Sequence, residues 1–276
     1  MKVRAYIPIW LYAAVATWMN LVTCEPAQAG ADFHTLISGV ELGEFSWAVT
    51  TTDQIRVTAI RIDPRLVRVQ VVDARSLIPK NNPGVQLAYS LREVGRLHSP
   101  IAAINGGFTG SYVRPVPTGL IIIDGRTTSP LNRLSRSQTG IACVQQDGAV
   151  VIYRVIDSTT LKCRYAIQAG PMVVENSGKN GIGVSQKNIL ATRSLIGVDK
   201  MNRVIFLRTS EASLYSLGEM LSDNGVSGLN LDNALNLDGD ADSGLLARTN
   251  GTLSTYGNVD ATIPSALIAV GGKSTH

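Results

Sequence analysis

Three carboxylates fall within five residues in Ala234-Leu-Asn-Leu-Asp238-Gly-Asp240-Ala-Asp242-Ser-Gly244, directly after an apolar run. A short apolar run bounded by turn formers reads as a buried strand, and a side chain placed where such a strand gives out is held rigidly yet open to a ligand. Like charges at this spacing repel unless a cation, a positive side chain or bulk water offsets them. The cluster therefore admits charge-stabilising or acid–base chemistry by carboxylates, and it admits Ca2+ held by Asp238, Asp240 and Asp242. It equally admits a plain solvated turn, an ordinary use of Asp-Gly. Counted as a calcium loop from Asp238, the twelfth place is Thr249 where glutamate is needed, and glycine stands seventh, at Gly244, instead of sixth. An EF-hand is excluded on that count, and no cofactor is required.

Other hydrolytic chemistries lack their parts. No G-x-S-x-G occurs, and His34, His98 and His276 are the chain's three histidines, too few and too scattered for a Ser-His-Asp triad or a histidine-rich zinc site. The net charge of +4 is mild, and its basic residues are dispersed without interleaved aromatics, so nucleic acid is not an expected partner.

The amino terminus carries an export pattern. Lys2 and Arg4 form a positive start, Ala5 to Met19 is uncharged and apolar, and Ala27-Gln-Ala29 supplies small residues for cleavage before Gly30. Residues 1–29 are read as a signal peptide, which leaves residues 30–276 as one domain without a stable membrane span. Cys143 and Cys163 then remain as a pair, and export to the periplasm or beyond places them where a disulfide persists.

The elements that must position the carboxylates are mostly strands. Gln54 to Ile62 and Leu66 to Val72 alternate β-branched residues around Asp63-Pro64 and are predicted to form a hairpin. Asp124-Gly125, Asp147-Gly148 and Asn250-Gly251, each flanked by apolar β-formers, mark three more. One helix is predicted to open at Asn82-Pro83, with Val85, Ala88, Leu91 and Val94 at helical spacing. A second is predicted from a Ser216/Glu219 capping box to Asp223, stopped by Asn224-Gly225. Each feeds an apolar strand, Ile101 to Ile104 and Leu235 to Leu237. The expected class is α+β, a mixed, strand-rich sheet core with a few helices.

Four segments occur in one order: Ile104-Asn105-Gly106-Gly107-Phe108, Gln168-Ala-Gly170-Pro171, Ala191-Thr192-Arg193-Ser-Leu-Ile-Gly197-Val, and Leu235-Asn236-Leu-Asp238-Gly239. In this order the chain resembles the phosphodiester glycosidase family, from about Ile101 to Val270. It departs where family members follow asparagine-leucine-aspartate-glycine with further glycine and then serine. Here Asp240-Ala-Asp242 precedes Ser243, and the added charge would repel a phosphate or recruit a cation.

The resemblance implies hydrolysis of a sugar-1-phosphodiester, or of a phosphorylated glycan, in the envelope or outside the cell. Phosphate is already a weak base when it leaves, so the reaction asks less for a proton donor than for a carboxylate near the anomeric carbon and a fixed cation on the phosphate. Asp238 is the candidate carboxylate and Arg193 the candidate cation, with Asn105 as a third catalytic candidate. Gly106, Gly107, Gly170, Asp240, Asp242 and Ser243 are the candidate substrate-binding residues. Each has a structural alternative: Asp238 as turn cap, Arg193 in an ion pair, Asn105 and its glycines as a turn. The alternative function is a non-catalytic carbohydrate-binding or exopolysaccharide-assembly protein of the envelope.

Overall fold

The computed structural model describes residues 32–49, 53–77, 89–111, 115–157 and 162–272. The expected signal peptide and the helix start at Asn82-Pro83 lie outside them. No helix among the described residues is long and apolar enough to cross a membrane.

Among the described residues strands dominate, every ladder between them is antiparallel, and three helices accompany them, in agreement with the α+β reading. An eight-stranded sheet runs through the chain's longest strands, including Val40–Ala48, Gln54–Ile62, Val204–Ser213, Leu190–Asp199 and Leu231–Asn236, in that spatial order. Two five-stranded sheets, one holding Gly140–Gln145 and Cys163–Ala169 and the other Ala102–Asn105, Gly244–Thr249 and Ser265–Gly271, close over one of its faces. All three sheets bury side chains in a common core. The opposite face of the large sheet, with Val57, Ala59, Leu195 and Leu207, is covered by Leu214, Leu217 and Leu221 of the helix Leu214–Ser222.

Side chains alternate along a strand, so directly paired residues form rungs across one sheet face. On the core face the rung Val40, Ile62, Val204, Val198 is wholly apolar, and so is the next, Leu42, Ile60, Phe206, Ile196, Leu235. The third rung changes character to Glu44, Thr58, Arg208, Ser194. The core ends there, and one edge of the interior becomes polar.

The hairpins at Asp124-Gly125, Asp147-Gly148 and Asn250-Gly251 form as the sequence suggests. In the first and last, both turn residues take the positive φ that two-residue hairpin turns favour, 45° and 77°, then 50° and 83°. The hairpin expected around Asp63-Pro64 does not form. Gln54–Ile62 pairs with Val40–Ala48 and Val204–Ser213 in the large sheet, whereas Val67–Asp73 pairs with Ser265–Gly271 in another. Asp63 binds the backbone and guanidinium of Arg65 and turns the chain between layers.

The helices have their own caps, and the start of the second shifts. Leu91–His98 follows a strand pair at Tyr89–Ser90 and is capped by Ser90, whose hydroxyl accepts from Glu93 N–H while the Glu93 carboxylate accepts from Ser90 N–H. The second helix begins at Leu214 with Ser213 as its cap, and Asp223 then caps a further short helix, Asn224–Ser227, where a stop was expected.

Cys143 and Cys163 are joined, with Cα atoms 5.4 Å apart, between adjacent strands and beside Leu120, Ile122 and Ile141. The bridge closes a 20-residue separation. Replacing both cysteines by alanine is expected to cost about 3 kcal/mol by chain entropy, lowering Tm by roughly 6–12 °C. An unchanged thermal melt would remove the bridge from the list of stabilising features.

Candidate functional site

The strand Leu231–Asn236 leaves the large sheet at Leu237, whose N–H donates to the Ser194 carbonyl at 2.8 Å, and delivers Asp238 to the edge of the common core. Asp238 N–H donates to the Gly106 carbonyl at 3.0 Å, which brings the first and last of the four sequence segments together. Only a backbone without side chains fits there: a Cβ on Gly106 would strike Ser265, and one on Gly107 would sit 2.8 Å from the Gln168 carbonyl. Gly106 and Gly107 thus make close approach possible between strands, through their own packing.

Asn105 lies completely buried beneath this junction. Its Nδ2 donates to the Asp238 carbonyl at 2.8 Å, and its Oδ1 accepts from Ser194 Oγ at 2.7 Å and from Gly244 N–H at 3.1 Å. Ser194 and Ser243 hydroxyls, also fully buried, lie 3.0 Å apart. One amide therefore joins both ends of the 238–243 turn to the strand Leu190–Asp199. Asn105 is a positioning residue in this geometry, since both ends of its amide are engaged with protein.

The Asp238 carboxyl is mostly enclosed. Burial, and then the neighbouring Asp242 charge, push it up to about 7, opposed by N–H donors of Gly239 and Thr109 and joined weakly by Asp240. Desolvation dominates because an ionised carboxylate loses water it cannot replace with two backbone donors. Burial raises Asp242 as well. A carboxyl balanced between its two forms near neutrality is a recurrent property of reacting groups.

Asp240 is exposed, at φ 51°, and its carbonyl accepts from Thr192 Oγ1 at 2.9 Å. Among the described residues no three His, Cys, Asp or Glu side chains gather closely enough to hold a metal ion.

Arg193 comes to the same turn from below. A Cβ on Gly239 would lie 2.7 Å from the Thr192 carbonyl and 4.0 Å from Arg193 Cδ. The guanidinium is directed at backbone: Nε donates to Ala212 O at 3.1 Å and Nη2 to Ile189 O at 2.8 Å. Burial lowers its pKa, and the Asp240 charge works in the opposite direction. Arg193 is paired opposite Thr209, one step off the rung of Ser194 and Arg208. Gly170 lies farther along the scaffold, at φ 155°, packed against Ser137 and Thr139, its carbonyl accepting from Asn236 Nδ2 at 3.0 Å.

The polar rung opens onto a cleft of about 850 Å3, lined by Glu44, Arg56, Thr58, Thr192, Arg208 and Ser210 among others. Sequence reasoning missed Thr109, Ser194 and Arg208, of which Ser194 alone falls inside one of the four ordered segments. Its place next to Arg193 in that segment was the available signal for Ser194.

A family model described as phosphodiester glycosidase matches residues 98–270. The catalytic domain of zebrafish N-acetylglucosamine-1-phosphodiester alpha-N-acetylglucosaminidase, auto-inhibited by its pro-peptide, is similar in structure with a TM-score of 0.63 and 16% identity, over 88% of this chain and 87% of that one. A hypothetical protein from Synechocystis is similar with a TM-score of 0.57 and 16% identity, over 87% of this chain and 63% of that one. At such identity the structural likeness is one of fold. None of the curated proteins matches the chain.

Proposed function

Since the chain belongs to the phosphodiester glycosidase family, we propose that it is an exported hydrolase that cleaves the bond between a sugar's anomeric carbon and the phosphate of a sugar-1-phosphodiester. The carrying observation is Asp238, an enclosed carboxyl with a pKa of about 7 at the exit of a central strand, pinned through its own backbone to Gly106 and Asn105. In its ionised form Asp238 faces the anomeric carbon as the bond to phosphate oxygen lengthens, and opposes the positive charge that develops there. The bonding electrons leave with the phosphate oxygen, and water supplies the oxygen that replaces it. The products are a free sugar and a phosphomonoester. No metal takes part in this reading. Asn105, Ser194 and Ser243 hold the turn, and the Arg193 guanidinium is fixed by the Ala212 and Ile189 carbonyls with its charge near Asp240.

Export is supported by the amino-terminal pattern and by a disulfide of the kind that persists in oxidising compartments. The test is incubation of the purified protein with sugar-1-phosphodiesters, sugar-1-phosphates and simple alkyl glycosides. Sugar release selective for the diesters and unaffected by EDTA is the expected result. Binding of the diesters without release of sugar would instead identify a carbohydrate-binding protein, and EDTA-sensitive release would restore a metal to the reaction.

A further inference from the structure

The cleft beside the 238–243 turn contains a pair of positive charges that the chemistry at Asp238 does not use. Arg208 lies in the polar rung, directly opposite Thr58 on one side and Ser194 on the other. Arg56 is two residues from Thr58 on the neighbouring strand and so shares its face, making the two arginines diagonal cross-strand neighbours, roughly 7–8 Å apart at the backbone. The Arg56 N–H donates to Ser210 Oγ at 3.0 Å, which fixes this pairing.

Arg208 is held in place before any ligand arrives. Its Nε donates to the Ser243 carbonyl at 3.3 Å, and the guanidinium rests against Gly257, where a Cβ would collide with it. Gly257 has φ 73°, so two separate features reserve that space. The two terminal nitrogens of Arg208 have no protein partner among the described residues, and neither arginine forms an ion pair there. Glu44 and Glu211 line the same cleft, yet neither lies within ion-pair distance of Arg56 or Arg208. Burial disfavours the charge on Arg208, and the like charge of Arg56 adds to the cost. Two unneutralised guanidinium groups, one half-buried and clamped, form a site for a doubly contacted oxyanion.

We propose that Arg208 and Arg56 form an anion subsite that binds the phosphate of a phosphorylated sugar, with Arg208 as the principal contact and Arg56 as the outer one. The inference rests on the hydrolase reading for its assignment to the diester phosphate. Arg208 is bonded to Ser243 at one end of the turn that begins with Asp238, so the cation and the carboxyl are placed by the same short segment, residues 238–243. Thr58 and Ser210 in the same lining are hydroxyl donors suited to the remaining phosphate oxygens and to the sugar. Arg193, with Nε and Nη2 committed to carbonyls, has less to offer such a group than Arg208 does.

The experiment measures binding of inorganic phosphate and of α-glucose 1-phosphate by calorimetry, with glucose as an uncharged comparator, to the parent protein and to Arg208→Gln, Arg56→Gln and the double variant. Both anions are expected to bind the parent, and glucose far more weakly. Arg208→Gln is expected to weaken the anions by about 50-fold and Arg56→Gln by about 5-fold, with strong salt dependence in the parent that the double variant loses. Arg56 is exposed and its side chain makes no hydrogen bond among the described residues, so Arg56→Gln tests the idea even if Arg208→Gln misfolds. Folded variants that bind both anions as the parent does, or a parent that binds neither, would overturn the subsite. Asp238→Asn separates the two ideas: it is expected to keep anion binding while losing sugar release. Anion binding that depends on the arginines in a protein that cleaves no diester would sink the hydrolase reading alone. Diester cleavage indifferent to both arginines would sink the subsite alone.

Discussion

Asp238→Asn is expected to lower turnover of a sugar-1-phosphodiester by about 10²–10³-fold and, at pH 8, to make the protein more stable than the parent. Asparagine preserves the shape of the side chain and can accept the Gly239 and Thr109 N–H groups. It cannot carry the charge that opposes the developing oxocarbenium ion. The stability gain follows from the folded-state pKa of about 7 against an ordinary 3.8. Below pH 3.8 both folded and unfolded chains hold the proton, and Asp238 costs nothing. As the pH rises above 3.8 the unfolded chain ionises while the folded one does not, so stability falls, and the full cost is reached above pH 7. That cost has an upper bound of roughly 4 kcal/mol. The parent and Asp238→Asn are therefore expected to melt alike near pH 3 and to diverge toward pH 8, with the variant higher. Parent turnover should rise with pH through about 7 as the carboxylate forms. Near-normal turnover in the variant would remove Asp238 from the reaction, and Asp242 would be the next carboxylate to replace. A stability difference that does not change with pH would show that the carboxyl is not desolvated.

Asn105→Ala is expected to destabilise the fold by about 3–5 kcal/mol, because one truncation removes the amide partner of the Gly244 N–H and the Asp238 carbonyl and leaves the Ser194 hydroxyl with Ser243 alone, in a fully buried place. The expected fall in Tm is on the order of 10 °C. Activity measured well below the melt should fall further than the folded fraction does, since the carbonyl of the proposed catalytic residue has lost its anchor. Asn105→Asp distinguishes the two effects. It retains acceptors for Ser194 and Gly244, loses the donor to the Asp238 carbonyl, and adds a negative charge beside a carboxyl that burial already raises. Denaturant unfolding and steady-state kinetics on both variants measure these outcomes. An Asn105→Ala protein with parental stability and turnover would show that the network carries neither load.

Local chemistry alone determined a good deal of this protein. Asp124-Gly125 and Asn250-Gly251 turn where they stand because both residues of each pair tolerate positive φ, a property that needs no distant contact. The pairing of Cys143 with Cys163 was legible from the export pattern and the two cysteines it would leave, and the four ordered segments around Asn105, Gly170, Arg193 and Asp238 were legible as residues. Strand pairing was not. The runs on either side of Asp63-Pro64 have the alternation of a hairpin, yet each meets a partner far along the chain, and a pattern of period two carries no information about which edge it will join. Helix caps shifted for a related reason, since Ser213 and Ser216 offer the same side chain and only the end of the preceding strand decides between them. At the site, composition placed a carboxylate at a strand end, but its pKa arises from the surfaces that enclose it. Arg208 became a neighbour of Ser194 and Ser243 only through the register of two long strands and the return of the chain at Gly257. Turn and charge preferences act over a few residues and survive in the sequence. Desolvation and cross-strand neighbourhood are properties of the assembled sheets, and these made Asp-Gly-Asp-Ala-Asp a candidate site in place of a solvated turn.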